Sequence, residues 1–292
     1  MKFTVSIAMT SPEHYIPLAQ TAEECGFHAI ALPDSIFYSE EVSAAYPYTA
    51  DGSRMWNEDT PFIEPMVGAA AMSAATKSIF FYTSVIKVGV RNPVLLAKQV
   101  GSLAVISGER FGLGAGIGWL PEEFKWCGTE FRQRGKRVDE SLEIIQGLLT
   151  GDWFEYHGEF FDIGRIKMQP APKKKVPIYI GGHSKPAFRR AVRFGDGWAS
   201  AMMKFDDLKE TIATLKQMLA DAGRGDDPFE FQAVCIDRFG VDGYKQQREI
   251  GVTDVITIPW VMYGVPNNAD LQAKQDAIRR FADDIVAKVN EQ

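Results

Sequence analysis

Short apolar runs alternate with amphipathic stretches from one end of the chain to the other. Runs at 3–9, 29–32, 79–85, 110–116, 177–180, 197–201, 229–235 and 254–258 predict strands. Stretches at 12–25, 64–75, 94–106, 137–149, 185–194, 205–222, 241–250 and 269–289 repeat apolar residues at helical spacing and predict helices. Runs such as Ile178-Tyr179-Ile180 and 255–258 offer no polar face, as parallel strands do when both sides are covered. Eight strands, each followed by a helix, are the count of a (β/α)8 TIM barrel, an α/β fold. An open doubly wound sheet has the same alternation, and periodicity does not separate the two. No repeat, low-complexity tract or linker divides 1–292, so one domain is expected.

Two segments interrupt the rhythm. The stretch 35–61, after the second strand, carries Tyr38, Tyr46, Tyr48 and Trp56. It is too long for a plain connection and too aromatic for disorder. In a barrel it would sit over the active face as a lid or part of the substrate wall. The second, 153–161, alternates aromatic residues around Gly158 and predicts a small hairpin after the fourth helix, covering the barrel rim.

Composition narrows the class. The 292 residues are 46% hydrophobic and 24% charged, which suits a globular protein with a sizeable core. A net charge of −6 argues against a nucleic-acid or anionic-membrane surface. Cys25, Cys127 and Cys235 have neither metal-ligand spacing nor disulfide density, so a reducing cytoplasm is expected. Neither a signal-peptide pattern nor a run of membrane-spanning length is present.

Candidate chemistry concentrates where strands end. After Ile178-Tyr179-Ile180 come Gly181-Gly182-His183-Ser184, then a helix-like run bearing Lys185, Arg189, Arg190 and Arg193. Glycines at such a handover let the backbone approach a ligand, and the first N–H groups of a helix attract anions. Ser184 suits the cap position. An ordinary strand-to-helix turn has the same make-up. Asp34, ending the second strand, admits three roles: proton donor, ligand acceptor or cap. Gly112-Leu113-Gly114-Ala115-Gly116-Ile117-Gly118-Trp119 misses the dinucleotide fingerprint, because Trp119 replaces its last glycine. Its alternating glycines instead thin one face of a strand, leaving room for something planar, with Trp119 at the pocket mouth. His14, His28, His157 and His183 are scattered, so no metal site is expected. With no nucleophile elbow or phosphate loop, an organic cofactor is the natural source of chemistry.

Several segments together resemble the bacterial luciferase-like monooxygenase superfamily, and within it the coenzyme F420-dependent branch. They are Gly26–Asp34, Arg91–Gln99, Gly108–Gly116, Phe131–Glu140 and Gly181–Trp198, in family order over roughly residues 1 to 200. The resemblance implies a (β/α)8 barrel with F420, or alternatively FMN, at the strand ends. It implies cofactor contacts at Asp34, Ser84, Val85, Gly116, Trp119, Gly181, Gly182, His183 and Ser184. Ser84-Val85 would form a bulge against the ring, often a cis peptide, and Asp34 would be the acidic catalytic group near the ring edge. Ser35 and Trp119 stand where sugar-phosphate dehydrogenases of the branch carry a histidine and a glutamate, which disfavours sugar-phosphate oxidation. A pocket bounded by Trp119, Trp260, Tyr263 and the aromatic loop suits an apolar or aromatic small molecule. The expected activity is hydride transfer between deazaflavin C5 and such a substrate. An FMN-dependent monooxygenase fed by a separate flavin reductase, and a non-catalytic flavin-holding barrel, are the other readings. The family generally forms homodimers through barrel helices.

Overall fold

The computed structural model describes residues 1–291. Its strands are β1 (Lys2–Ser6), β2 (Ala29–Leu32), β3 (Phe80–Thr83), β4 (Ile86–Lys87), β5 (Phe111–Gly116), β6 (Trp153–His157), β7 (Asp162–Lys167), β8 (Ile178–Gly181), β9 (Gly197–Ala199), β10 (Glu230–Ala233) and β11 (Asp254–Thr257). Eight of them pair in parallel as a ring, β1-β2-β3-β5-β8-β9-β10-β11. The ring closes because β3 pairs with β5 (Phe81 opposite Phe111) and β11 returns to β1 (Val255 opposite Phe3). That closure decides for the barrel over the open sheet. The expected strand 79–85 is split by a cis peptide bond between Ser84 and Val85, and β4 continues beyond it along β5.

Around the ring lie α1 (Tyr15–Glu24), α2 (Pro65–Ala74), α3 (Pro93–Ile106), α4 (Pro121–Trp126), α5 (Arg134–Leu149), α6 (Lys185–Phe194), α7 (Phe205–Asp221), α8 (Gly240–Ile250), α9 (Pro259–Met262), α10 (Leu271–Phe281) and α11 (Ala287–Asn290). The expected helix 269–289 is interrupted by a π-turn at Ala282–Val286, and α4 and α9 are additional short elements. No described helix is long and apolar enough to cross a membrane.

Alternate residues of each strand face opposite ways, so two apolar layers form. Phe3, Val5, Ile30, Phe81, Phe111, Ile178 and Val255 pack outward against the helices. Ala29, Ala31, Tyr82, Tyr179 and Ile256 form a separate cluster. The Tyr82 hydroxyl donates to Asp254 Oδ2 at 3.1 Å, and Thr4 Oγ1 donates to the same carboxylate at 2.8 Å. Gly112 makes room for the Tyr179 and Phe80 rings: a Cβ there would lie 2.9 Å from Tyr179 Cε2 and 3.1 Å from Phe80 Cε1. Asp254 is fully buried, and burial pushes its carboxyl up to about 6.

The hairpin forms as expected, with β6 antiparallel to β7, but its place differs. Glu140 on α5 accepts from the amides of Glu159, Phe160 and Phe161, and the Phe154 ring lies over Gly147 of the same helix. These bonds hold the hairpin along the outside of α5, and none of its residues lines the cavity at the barrel mouth.

Candidate functional site

The carboxyl ends of all eight ring strands open into one cavity of about 1010 Å³. Ser6, Asp34, Val85, Gly116, Gly181, Ala199, Val234 and Thr257 each bring one strand end to its wall. Asp34, Ser84, Val85, Gly116, Trp119, Gly181, Gly182, His183 and Ser184 all line this cavity, so residues spread over the chain are gathered into one site.

The room expected beside the alternating glycines is taken by the chain itself. A Cβ on Gly114 would lie 1.6 Å from the Thr83 carbonyl oxygen, and one on Gly116 would lie 2.6 Å from Val85 Cγ2. The Val85 side chain also sits over Gly181, 3.0 Å from where a Cβ would stand. The glycines of β5 therefore admit the Ser84-Val85 bulge, and the bulge, carrying Val85, forms the cavity wall.

At the end of β8 the chain turns through Gly182, whose φ of +116° disfavours any side chain. Trp198 Nε1 donates to the Gly182 carbonyl at 2.9 Å and fixes the turn. Ser184 caps α6, its Oγ accepting from the Ala187 amide. The amides of His183 and Ser184 find no acceptor among the described residues and stand at the positive end of the α6 dipole. His183 Nε2 accepts from the Ala201 amide at 3.0 Å, and burial holds the imidazole below its usual pKa. The ring is therefore neutral near pH 7, with its proton on Nδ1. Of the basic residues on α6, Lys185 and Arg189 stay exposed. Arg190 turns inward to Asp139 and the Gly135 carbonyl, and Arg193 pairs with Glu143.

Both oxygens of Asp34 are engaged by neighbouring donors. Its oxygens accept from Arg91 Nη1 and Nη2, each at 2.9 Å, and from the Lys87 amide at 2.8 Å. Burial favours the neutral acid, but the charges of Lys87 and Arg91 and these hydrogen bonds outweigh it. The carboxyl is held below its usual range, as an anion with both oxygens engaged. Lys87 Nζ in turn pairs with Glu123 Oε1 at 2.6 Å, the lysine and the glutamate both buried. Sequence reasoning missed Lys87 and Glu123. Pro121-Glu122-Glu123 does carry a helix-start signature, proline in the first turn with acids beside it, but α4 is too short to show periodicity.

The 35–61 segment forms the outer wall as expected. Tyr46 meets Trp119 edge-on at 5.3 Å and Trp56 at 5.2 Å, and Tyr48 meets the His183 ring at 5.3 Å. Burial, with Tyr48 alongside, pushes the Tyr46 phenol up to about 12, so it remains a neutral hydroxyl. Trp260 and Tyr263 depart from expectation. The Trp260 ring is fully buried, with Nε1 donating to Asn267 Oδ1, and Tyr263 donates to Asp284. Their neighbours Val261 and Met262 line the cavity instead.

Residues 4–236 match the family model described as luciferase-like monooxygenase. The chain belongs to this family of flavin-dependent oxidoreductases. Among luciferase-like relatives, an uncharacterized protein of Mycobacterium tuberculosis is 44% identical over 292 residues, covering 99% of this chain and all of that one (100%). The F420-dependent glucose-6-phosphate dehydrogenase of Microbacterium testaceum is 28% identical over 229 residues, 76% of this chain and 63% of the dehydrogenase. The crystal structure of monooxygenase RslO1 from Streptomyces bottropensis superposes with a TM-score of 0.77 at 17% identity, covering 98% of this chain and 99% of that one. Family members use F420 or FMN. The luciferase-like site fits such a group: the cavity has room for a planar ring and a second molecule, and the amides after Gly182 lack acceptors.

Proposed function

We propose that the protein is an F420-dependent oxidoreductase acting on an apolar or aromatic small molecule. The observation that carries this reading is a cavity of about 1010 Å³ whose wall combines an anion-ready turn at 182–184 with aromatic residues at the mouth. The F420-dependent relative at 28% identity supports the deazaflavin over FMN. When bound, F420 supplies hydride exchange at its C5. The amides of His183 and Ser184, with the His183 Nδ1 proton, would hold its phosphate, and Val85 would back its ring. Tyr46, Trp56 and Trp119 would exclude water from the reacting face. Asp34, fixed by Arg91, would hold the Lys87 amide and with it the cavity floor, a positioning role that replaces the proton-transfer role expected from the sequence. Ser35 and Trp119 offer neither imidazole nor carboxylate, which supports an apolar substrate over a sugar phosphate. We also propose a homodimer and, from three free cysteines, a reducing cytoplasmic setting.

Calorimetric titration of the protein with F420 and, separately, with FMN tests the reading. Saturable F420 binding with no FMN binding is the expected result. Tight FMN binding with none for F420 would make it an FMN-dependent monooxygenase served by a flavin reductase. Binding of F420 without any change in its oxidation state across a panel of enones and quinones would leave a flavin-holding barrel.

A further inference from the structure

Exposed apolar side chains are ordinary when they stand singly and informative when they gather at one place. Among the described residues, four large ones that are open to solvent also line the cavity: Ile236 and Met55 at 43% exposure, Phe239 and Val261 at 50%. Ile236 and Phe239 lie on the loop between β10 and α8, and Val261 lies on α9, just after β11. β10 and β11 are neighbours in the ring, Ala233 opposite Val255, so the two segments leave the barrel side by side. The cavity wall is also divided by charge. Every charged residue that lines it falls between Asp34 and Arg134, and from Ala199 to Met262 none is charged. Ile256 stands at the inner end of this uncharged stretch, 5% exposed and clustered with Tyr82 and Tyr179 inside the barrel. Phe239 and Val261 stand at its outer end. A compact molecule held wholly within the cavity would leave that outer end wet, whereas a hydrocarbon chain continuing outward would take it out of water.

We infer that the substrate carries a linear hydrocarbon chain, which leaves the chamber past the ends of β10 and β11 and lies on Ile236, Phe239 and Val261. This deepens the proposed function and rests on it for the reaction, while the rim sets the chemical class of the molecule. Apolar contact of this kind adds affinity with length and has little say over the position of any one carbon, so the rim selects for a chain and not for its exact end.

A series of 4-n-alkylphenols, from methyl to nonyl, tests this by calorimetric titration of wild type and of the double variant Phe239→Ser, Val261→Ser, with and without F420. In wild type each methylene that reaches the apolar wall should tighten binding about two- to fourfold. In the double variant the short members, which do not reach the rim, should bind as they do to wild type. The gain from the longer members should stop there, a loss of at least about tenfold for the nonyl compound. A series that does not bind, does not tighten with length, or tightens equally in the double variant overturns the inference. So does a flat series accompanied by binding to phosphatidylcholine vesicles that the double variant abolishes, which would make the rim a membrane-docking face. Failure of F420 to bind while the length dependence holds would sink the proposed function and leave the chain site standing. Ile236→Asn should remove part of the same gain, and it carries the test if the double variant fails to fold.

Discussion

Arg91 shows how much one residue can hold at the floor of the site. Its guanidinium meets Asp34 with two parallel hydrogen bonds, and the carboxylate side chain is only 2% exposed. Removing the cation would strand a buried anion, so Arg91→Leu should cost roughly 3 kcal/mol of unfolding free energy, read from the urea midpoint. The pH profile should change with it. Asp34 has a lowered carboxyl, so its contribution in wild type is present above the unfolded value of 3.8 and is lost as pH falls through the folded value. The leucine variant would lose that acid-limb slope. An unchanged slope would mean that the pair contributes nothing. The acid at the end of a predicted strand was legible as a candidate, but its partner lies 57 residues away, and no local pattern announces such a pairing. For the same reason Glu123 escaped notice: the Lys87 ammonium it pairs with lies 36 residues away.

Among the elements, α2 and α3 stand apart. α2 contains no charged residue and α3 only Lys98, yet Val67 and Leu95, near their N-termini, are 64% and 66% exposed. A helix apolar all round is ordinarily covered on every side. This supports the proposed homodimer with α2 and α3 at its centre. The double change Val67→Asp and Leu95→Asp should convert dimer to monomer in sedimentation velocity, with the far-UV spectrum preserved; a wild-type monomer would refute the arrangement. Long elements were readable because eight strands and the helices between them carry sustained periodicity. Short α4 and α9 were not, since one turn of helix has no period to detect. The hairpin was readable as a hairpin from its alternation, but its seat on α5 depends on Glu140, which belongs to a different element.

At the scale of the whole molecule, the ring of strands brings Thr4, Tyr82 and Asp254 together around a buried carboxyl. Burial raises Asp254 to about 6 from 3.8, so the fold prefers it protonated. The sign is opposite to that of Asp34: this contribution is fully present below the unfolded value and is lost as pH rises through about 6. Asp254→Asn removes that loss, and its amide can donate to Gln232 Oε1, a buried acceptor without a partner on the facing strand position. The variant should be more stable than wild type by on the order of 2 kcal/mol at pH 8, with the difference vanishing near pH 4, in melting curves taken across that range. A difference that does not vary with pH would show that the carboxyl does not titrate in the fold. Sequence periodicity favoured the barrel by its count of eight but did not exclude the open sheet, because closure is a pairing between β3 and β5 that adds no residue pattern of its own. The ring of Tyr46 meets those of Trp56 and Trp119, and all three line the cavity. A molecule passing the mouth meets the same aromatic faces that line the chamber, so a change to any of these rings should alter passage and grip together.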